Sequence, residues 1–153
     1  MTPAVSTQLQ ELLTYPERTA GGLMTSRLML AHPRERVGDV RERLASETDE
    51  QGDLDGIVIV DDDGRLLDDL RLVELFVADP DDVLEHLVAS SDPITLDTDA
   101  GLTEVVDRLI DSRRTSVLVT DDGHHPIGRI LADDVIDALV PTRGRHRVHV
   151  HRP

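Results

Sequence analysis

The sequence predicts an α/β (α+β) fold in which one β-α-β-β-α unit is used twice. Three observations carry that reading. The stretches "VGDVRERL" (Val37 to Leu44) and "LTEVVDRL" (Leu102 to Leu109) share the order apolar–x–acid–Val–x–acid–Arg–Leu. Each is followed by a β-rich run and an acidic turn with glycine, "GIVIVDDDGRLL" from Gly56 and "SVLVTDDGHHPIG" from Ser116. Each unit then closes on a second helix, "LVELFVAD" from Leu72 and "ADDVIDALV" from Ala132. Self-similarity of this kind, at a period of about 60 residues, marks duplicated units that bury their faces against each other.

The elements follow in chain order. In "LLTYPERTAGGLMT" (Leu12 to Thr25), proline pushes Tyr15 out of the α region and stops any helix over Gln8 to Thr14. Pro16 to Arg18 can open a new turn, and Ala20-Gly21-Gly22 lets backbones approach closely or swing into a strand. Short strands are expected at Leu28 to Ala31 and Ile94 to Leu96, ahead of the two first helices. In those helices, apolar residues at i, i+3 and i+7 make one buried stripe with charge opposite. Asp63-Gly64 and Asp122-Gly123 punctuate hairpins. The polar insert "SETDEQGDLD" (Ser46 to Asp55) is expected as an exposed loop. The resulting organisation is an N-terminal helix and junction over 1–22, a first repeat over 23–80, a second over 81–141 and a basic tail over 142–153. The two small sheets are expected to pack face to face as one pseudo-symmetric body.

Composition narrows the function classes. The chain of 153 residues has no cysteine, which excludes disulfides, zinc–thiolate sites and thiol catalysis. No apolar run approaches a membrane span, and no basic-then-apolar leader opens the chain, so a cytoplasmic protein is expected. The net charge is −15, from 31 acidic residues against 16 basic ones, every one an arginine. Such a surface repels phosphate backbones, so nucleic acid is not expected as a partner, while divalent cations are attracted. No phosphate cradle, nucleophile elbow or zincin pattern is present, so the expected work is binding and regulation, not catalysis.

The double unit resembles a tandem pair of CBS domains. "GRILADDV" (Gly128 to Val135) matches the family's G-h-h-T-x-x-D-h pattern except at the threonine, where Leu131 stands. "LLTYPERTAGGLMT" resembles the junction ahead of the CBS pair in MgtE-type magnesium channels, and "LFVADP" (Leu75 to Pro80) the link between their repeats. The resemblance implies a regulatory homodimer whose ligand biases the orientation of two CBS pairs. It also implies an adenine-nucleotide site, for ATP or AMP. Asp134 stands at the ribose position, since a carboxylate accepts both hydroxyls. Arg71 and Glu74 stand in the corresponding slots of the first repeat, and Thr95 is a further candidate contact.

The family also gathers acidic residues for Mg²⁺, which needs only one or two carboxylates and keeps its waters. Asp133, Asp134 and Asp137 are the candidates here, Asp134 and Asp137 forming an i,i+3 pair of like charge. Asp61 to Asp63 and Asp121-Asp122 read as turn carboxylates. His146, His149 and His151, among arginines, are candidate ligands for a softer metal, with a solvated tail the plainer reading. Two alternatives to a sensor stay open. One is an interaction scaffold that has lost its ligand. The other is a detached relative of the channel's cytosolic part that docks on a separately encoded membrane partner.

Overall fold

A computed structural model of the chain describes residues 18–48, 54–90 and 92–139. The expected helix over Gln8 to Thr14 and the basic tail lie outside the described residues. The element order is α1 (Ala20–Leu23), β1 (Leu30–Ala31), α2 (Val37–Thr48), β2 (Gly56–Val60), β3 (Leu66–Arg71) and α3 (Leu72–Val77). A 3₁₀ turn (Leu84–Leu87) follows, then β4 (Thr95–Asp97), α4 (Leu102–Ser112), β5 (Ser116–Thr120), β6 (Pro126–Leu131) and α5 (Ala132–Leu139). Two three-stranded sheets result, β1-β2-β3 and β4-β5-β6, each with one parallel and one antiparallel pairing.

Alternation along the central strands builds three apolar layers. Ile57 and Ile59 point to the helices of the first repeat, and Val117 and Val119 to those of the second. Val58 and Leu118 point the other way and meet between the sheets, with Leu66, Leu28 and Val60 around them. This is the period-two rule of a sheet covered on both faces. Full burial of each such Ile or Leu stabilises the fold by roughly 1.5–3 kcal/mol.

The hairpins are close copies. Asp61 Oδ1 accepts the N–H groups of Asp63 (2.8 Å) and Arg65 (2.9 Å), and Asp121 Oδ1 those of Gly123 (3.0 Å) and His125 (2.8 Å). These bonds, from Arg65 and His125 first, hold both carboxyls below the ordinary range. The left-handed residue differs between the copies: it is Gly64 (φ 80°) in the first but His124 (φ 66°) in the second. The two turns touch, Leu66 N–H donating to His124 O at 2.9 Å.

The segments that precede each repeat cross over to the other one. Ala20 is buried in the core of the second repeat, and its N–H donates to Ala100 O at 2.8 Å. Thr25 and Arg129 exchange backbone bonds of 2.8 and 2.9 Å, and Met24 lies directly on Gly128. In return Leu84 is fully buried in the first core, with its N–H on Glu35 O at 2.9 Å. Ala20-Gly21-Gly22 thus forms a one-turn helix capped by Thr19, not a strand. Helix α2 runs on through Ser46 to Thr48, so the polar insert begins as helix, with Glu47 exposed.

Two predictions follow from these contacts. Gly56 begins β2 in a crowded place: an added Cβ would lie 2.9 Å from Leu70 O, 3.0 Å from Asp69 Oδ1 and 3.3 Å from Arg129 Nη2. Gly56→Ala should therefore cost about 1–3 kcal/mol in urea unfolding. The second concerns the crossing segment, where His86 Nδ1 meets the Asp82 carboxylate. That hydrogen bond raises the His86 pKa and lowers that of Asp82. The contribution from His86 is present below its unfolded pKa and fades as pH rises through the folded one. That from Asp82 is present above its unfolded pKa and fades as pH falls through the folded one. The His86 ring should titrate by NMR above the ordinary imidazole value, and Asp82→Asn should bring it down.

Candidate functional site

The strands of the inter-repeat face carry charge where an apolar residue is the norm. Asp68 and Asp69 are buried in β3, and Arg129 is buried in β6. Asp68 ties the crossing segment to the first repeat, its Oδ2 accepting the N–H of Ala89 at 3.0 Å. Asp69 instead faces the other sheet. It pairs in register with Val58, and Arg129 pairs with Leu118, so the two occupy equivalent positions of the two repeats. Their side chains join across the interface. Arg129 Nη2 donates to Asp69 Oδ1 at 2.7 Å and Nη1 to Oδ2 at 3.0 Å. With both groups under 5% exposed, this is a buried bidentate pair.

Around it lies a cavity of about 260 Å³, lined by Asp55, Asp69, Arg71, Leu72, Arg113, Arg114, Thr115, Ser116 and Arg129. Arg113 caps α4 in the left-handed conformation (φ 58°), which turns the chain so that Arg113-Arg114 reach this wall. Arg114 donates to Asp69 Oδ2 at 3.2 Å and to Asp69 O at 2.8 Å. Arg129 Nη1 also donates to Ser116 Oγ at 2.7 Å. Asp55 Oδ2 accepts both the Ser116 hydroxyl (2.5 Å) and the Thr115 hydroxyl (2.9 Å). Neither Arg71 nor Arg113 has a carboxylate partner among the described residues. Four guanidinium groups thus face two carboxylates, a local excess of positive charge in a chain of net charge −15. Such a cavity can hold an anion.

The residues singled out from the sequence fall in three places. Arg71 lines the cavity. Thr95 sits half-buried on β4, its carbonyl accepting from Arg108 Nη1 at 2.8 Å. Asp133, Asp134 and Asp137 lie exposed along α5 and are not among the residues that line the cavity. Among the described residues no group of three or more His, Asp or Glu is placed to hold a metal ion. Leu131, in the hydroxyl slot, ends β6 opposite Ser116. Sequence reasoning passed over Asp69, Arg113, Arg114, Ser116 and Arg129. The available signal was a charge inside each second hairpin strand, "LLDDLR" and "PIGRIL", at matching positions.

Comparison with known proteins agrees with this geometry. The model of the CBS domain family matches residues 77–141. The magnesium transporter MgtE of Thermus thermophilus is 29% identical over 137 residues, 90% of this chain and 30% of the relative. MgtE of Enterococcus faecalis is 26% identical over 132 residues, 86% of this chain and 29% of the relative. The chain therefore spans under a third of the length of these curated relatives. A crystal structure of the cytosolic domain of the Mg²⁺ channel MgtE in complex with ATP superposes with a TM-score of 0.83 at 28% identity. That match covers 90% of this chain and 55% of the other. With its duplicated units, crossed linkers and face-to-face sheets, the chain resembles a tandem CBS-domain pair, and in particular the CBS region of MgtE magnesium transporters.

Proposed function

We propose that this chain is a cytoplasmic regulatory CBS pair whose inter-repeat cavity takes the phosphate groups of an adenine nucleotide. The observation that carries the reading is the cluster of Arg71, Arg113, Arg114 and Arg129 on one cavity of an otherwise acidic protein. The ATP complex of the similar MgtE domain supports the choice of ligand class. Arg71 and Arg113 would meet the phosphates. Asp134 and Thr95 remain the candidates for ribose and base contacts.

The work of the module is binding: occupancy changes the relative set of the two repeats, and a partner reads that change. The similarity to MgtE makes a membrane magnesium transporter the natural partner class. A homodimer is the proposed assembly, supported by the exposed apolar residues Phe76 and Val77 on α3 and Ile136 and Leu139 on α5. Mg²⁺ would bind weakly and through water at Asp133, Asp134 and Asp137, where it screens like charges.

A second reading has its own observation. Leu131 replaces the hydroxyl of the family pattern, and Asp69 already pairs with two of the four arginines. Both fit an interaction scaffold that has lost its ligand.

Thermal unfolding with ATP, AMP and Mg²⁺ separates these readings. ATP at about 100 times its Kd should stabilise the fold by ~2.7 kcal/mol. Arg71→Ala should remove most of that shift, and Asp134→Ala should weaken it if the carboxylate holds ribose. Millimolar Mg²⁺ should raise the midpoint more than monovalent salt of equal ionic strength. No response to any of the three leaves the scaffold.

A further inference from the structure

We propose that Asp69 and Asp55 act as a built-in counter-anion for the arginine-lined cavity, so that an incoming anion binds by drawing Arg114 away from Asp69. This rests on reading the cavity as an anion site, and it names what sets the affinity there. A phosphate needs guanidinium and hydroxyl donors. In this cavity most of them are already committed to internal carboxylates. Arg129 and Arg114 both donate to Asp69, and the Thr115 and Ser116 hydroxyls both donate to Asp55.

The geometry also decides which group moves. Arg129 is 3% exposed and bidentate on Asp69, with its shorter bond at 2.7 Å. Arg114 is 22% exposed and reaches the same carboxylate by one bond of 3.2 Å, to an oxygen that Arg129 already occupies, its other bond of 2.8 Å going to the Asp69 carbonyl. Releasing Arg114 leaves the buried pair neutral and intact, whereas releasing Arg129 would strand a charge in the core. Arg114 is therefore the movable donor. Arg71 and Arg113 face the cavity without a carboxylate partner among the described residues, and a ligand recruits the third guanidinium only where it attracts Arg114 more strongly than Asp69 does. Multiply charged anions meet that condition best, because their pull grows with charge.

Calorimetric titration of ATP into the wild type, Asp55→Asn and Asp69→Asn tests this. Asp55 is half-buried and outside the repeat-to-repeat ion pair, so Asp55→Asn should stay folded, as far-UV circular dichroism will check. Each variant should bind ATP about tenfold more tightly, the equivalent of about 1.4 kcal/mol. For Asp69→Asn that gain should come together with a lower melting temperature, a pairing of signs that a merely structural role would not give. Unchanged or weaker binding by Asp55→Asn, with wild-type binding intact, would overturn the inference and leave the anion site standing. Weaker binding by a folded Asp69→Asn would overturn the part assigned to Asp69. No binding by any of the three proteins would overturn both the inference and the anion site.

Discussion

The Asp69–Arg129 pair is the interaction on which the rest of the arrangement depends. Two charges taken out of water cost several kcal/mol each, and only good geometry with further hydrogen bonds offsets that cost. Both conditions are met. The pairing is bidentate, Arg114 adds a second cation to Asp69, and Ser116 takes a further donor of Arg129. A pair this demanding fixes how the repeats meet, because a one-residue slip of either hairpin would turn its charge into a helix core. The apolar cluster of Val58, Leu66 and Leu118 supplies attraction between the sheets but little direction. The ion pair supplies the direction.

The cavity follows from the same constraint. Equivalent positions of two repeats are brought together by pseudo-symmetry, and in a perfect repeat they would carry the same residue. Here they carry opposite charges. The symmetry is broken where the repeats touch, and neighbouring positions break it too. Gly56 stands opposite Arg71 in the first hairpin and Ser116 opposite Leu131 in the second. The first repeat therefore contributes one guanidinium to the cleft, from Arg71, while the second contributes three together with the hydroxyls of Thr115 and Ser116. The crossing segments hold this asymmetric cleft in place from outside, each completing the core of the repeat it does not precede.

Much of the fold was legible in the sequence. The stripe of Val37, Val40 and Leu44 and its copy at Leu102, Val105 and Leu109 mark helices by spacing alone, and the acidic glycine turns mark hairpins. The crossing of Ala20 and Leu84 was not legible, since periodicity tells which residues are buried and not which repeat buries them. The helical state of Ala20 to Leu23 was hidden as well. Its Gly-Gly pair has poor helix propensity, and the turn is held by Thr19 and by packing on the second repeat. At the site, Arg71 was visible through its place in the family pattern. Arg129 was not, because a charged residue in a strand reads as solvent-facing until its partner on the other repeat is known, and Arg114, in the bend before β5, reads as an ordinary loop charge.

The most direct test of the central claim is a charge swap across the interface, read by urea unfolding. Asp69→Arg and Arg129→Asp alone each bury like charges together and should lose more than about 3 kcal/mol. The double variant restores opposite charges at equivalent positions and should recover a large part of that loss. A double variant no more stable than the worse single one would show that the pair does not set how the two repeats meet.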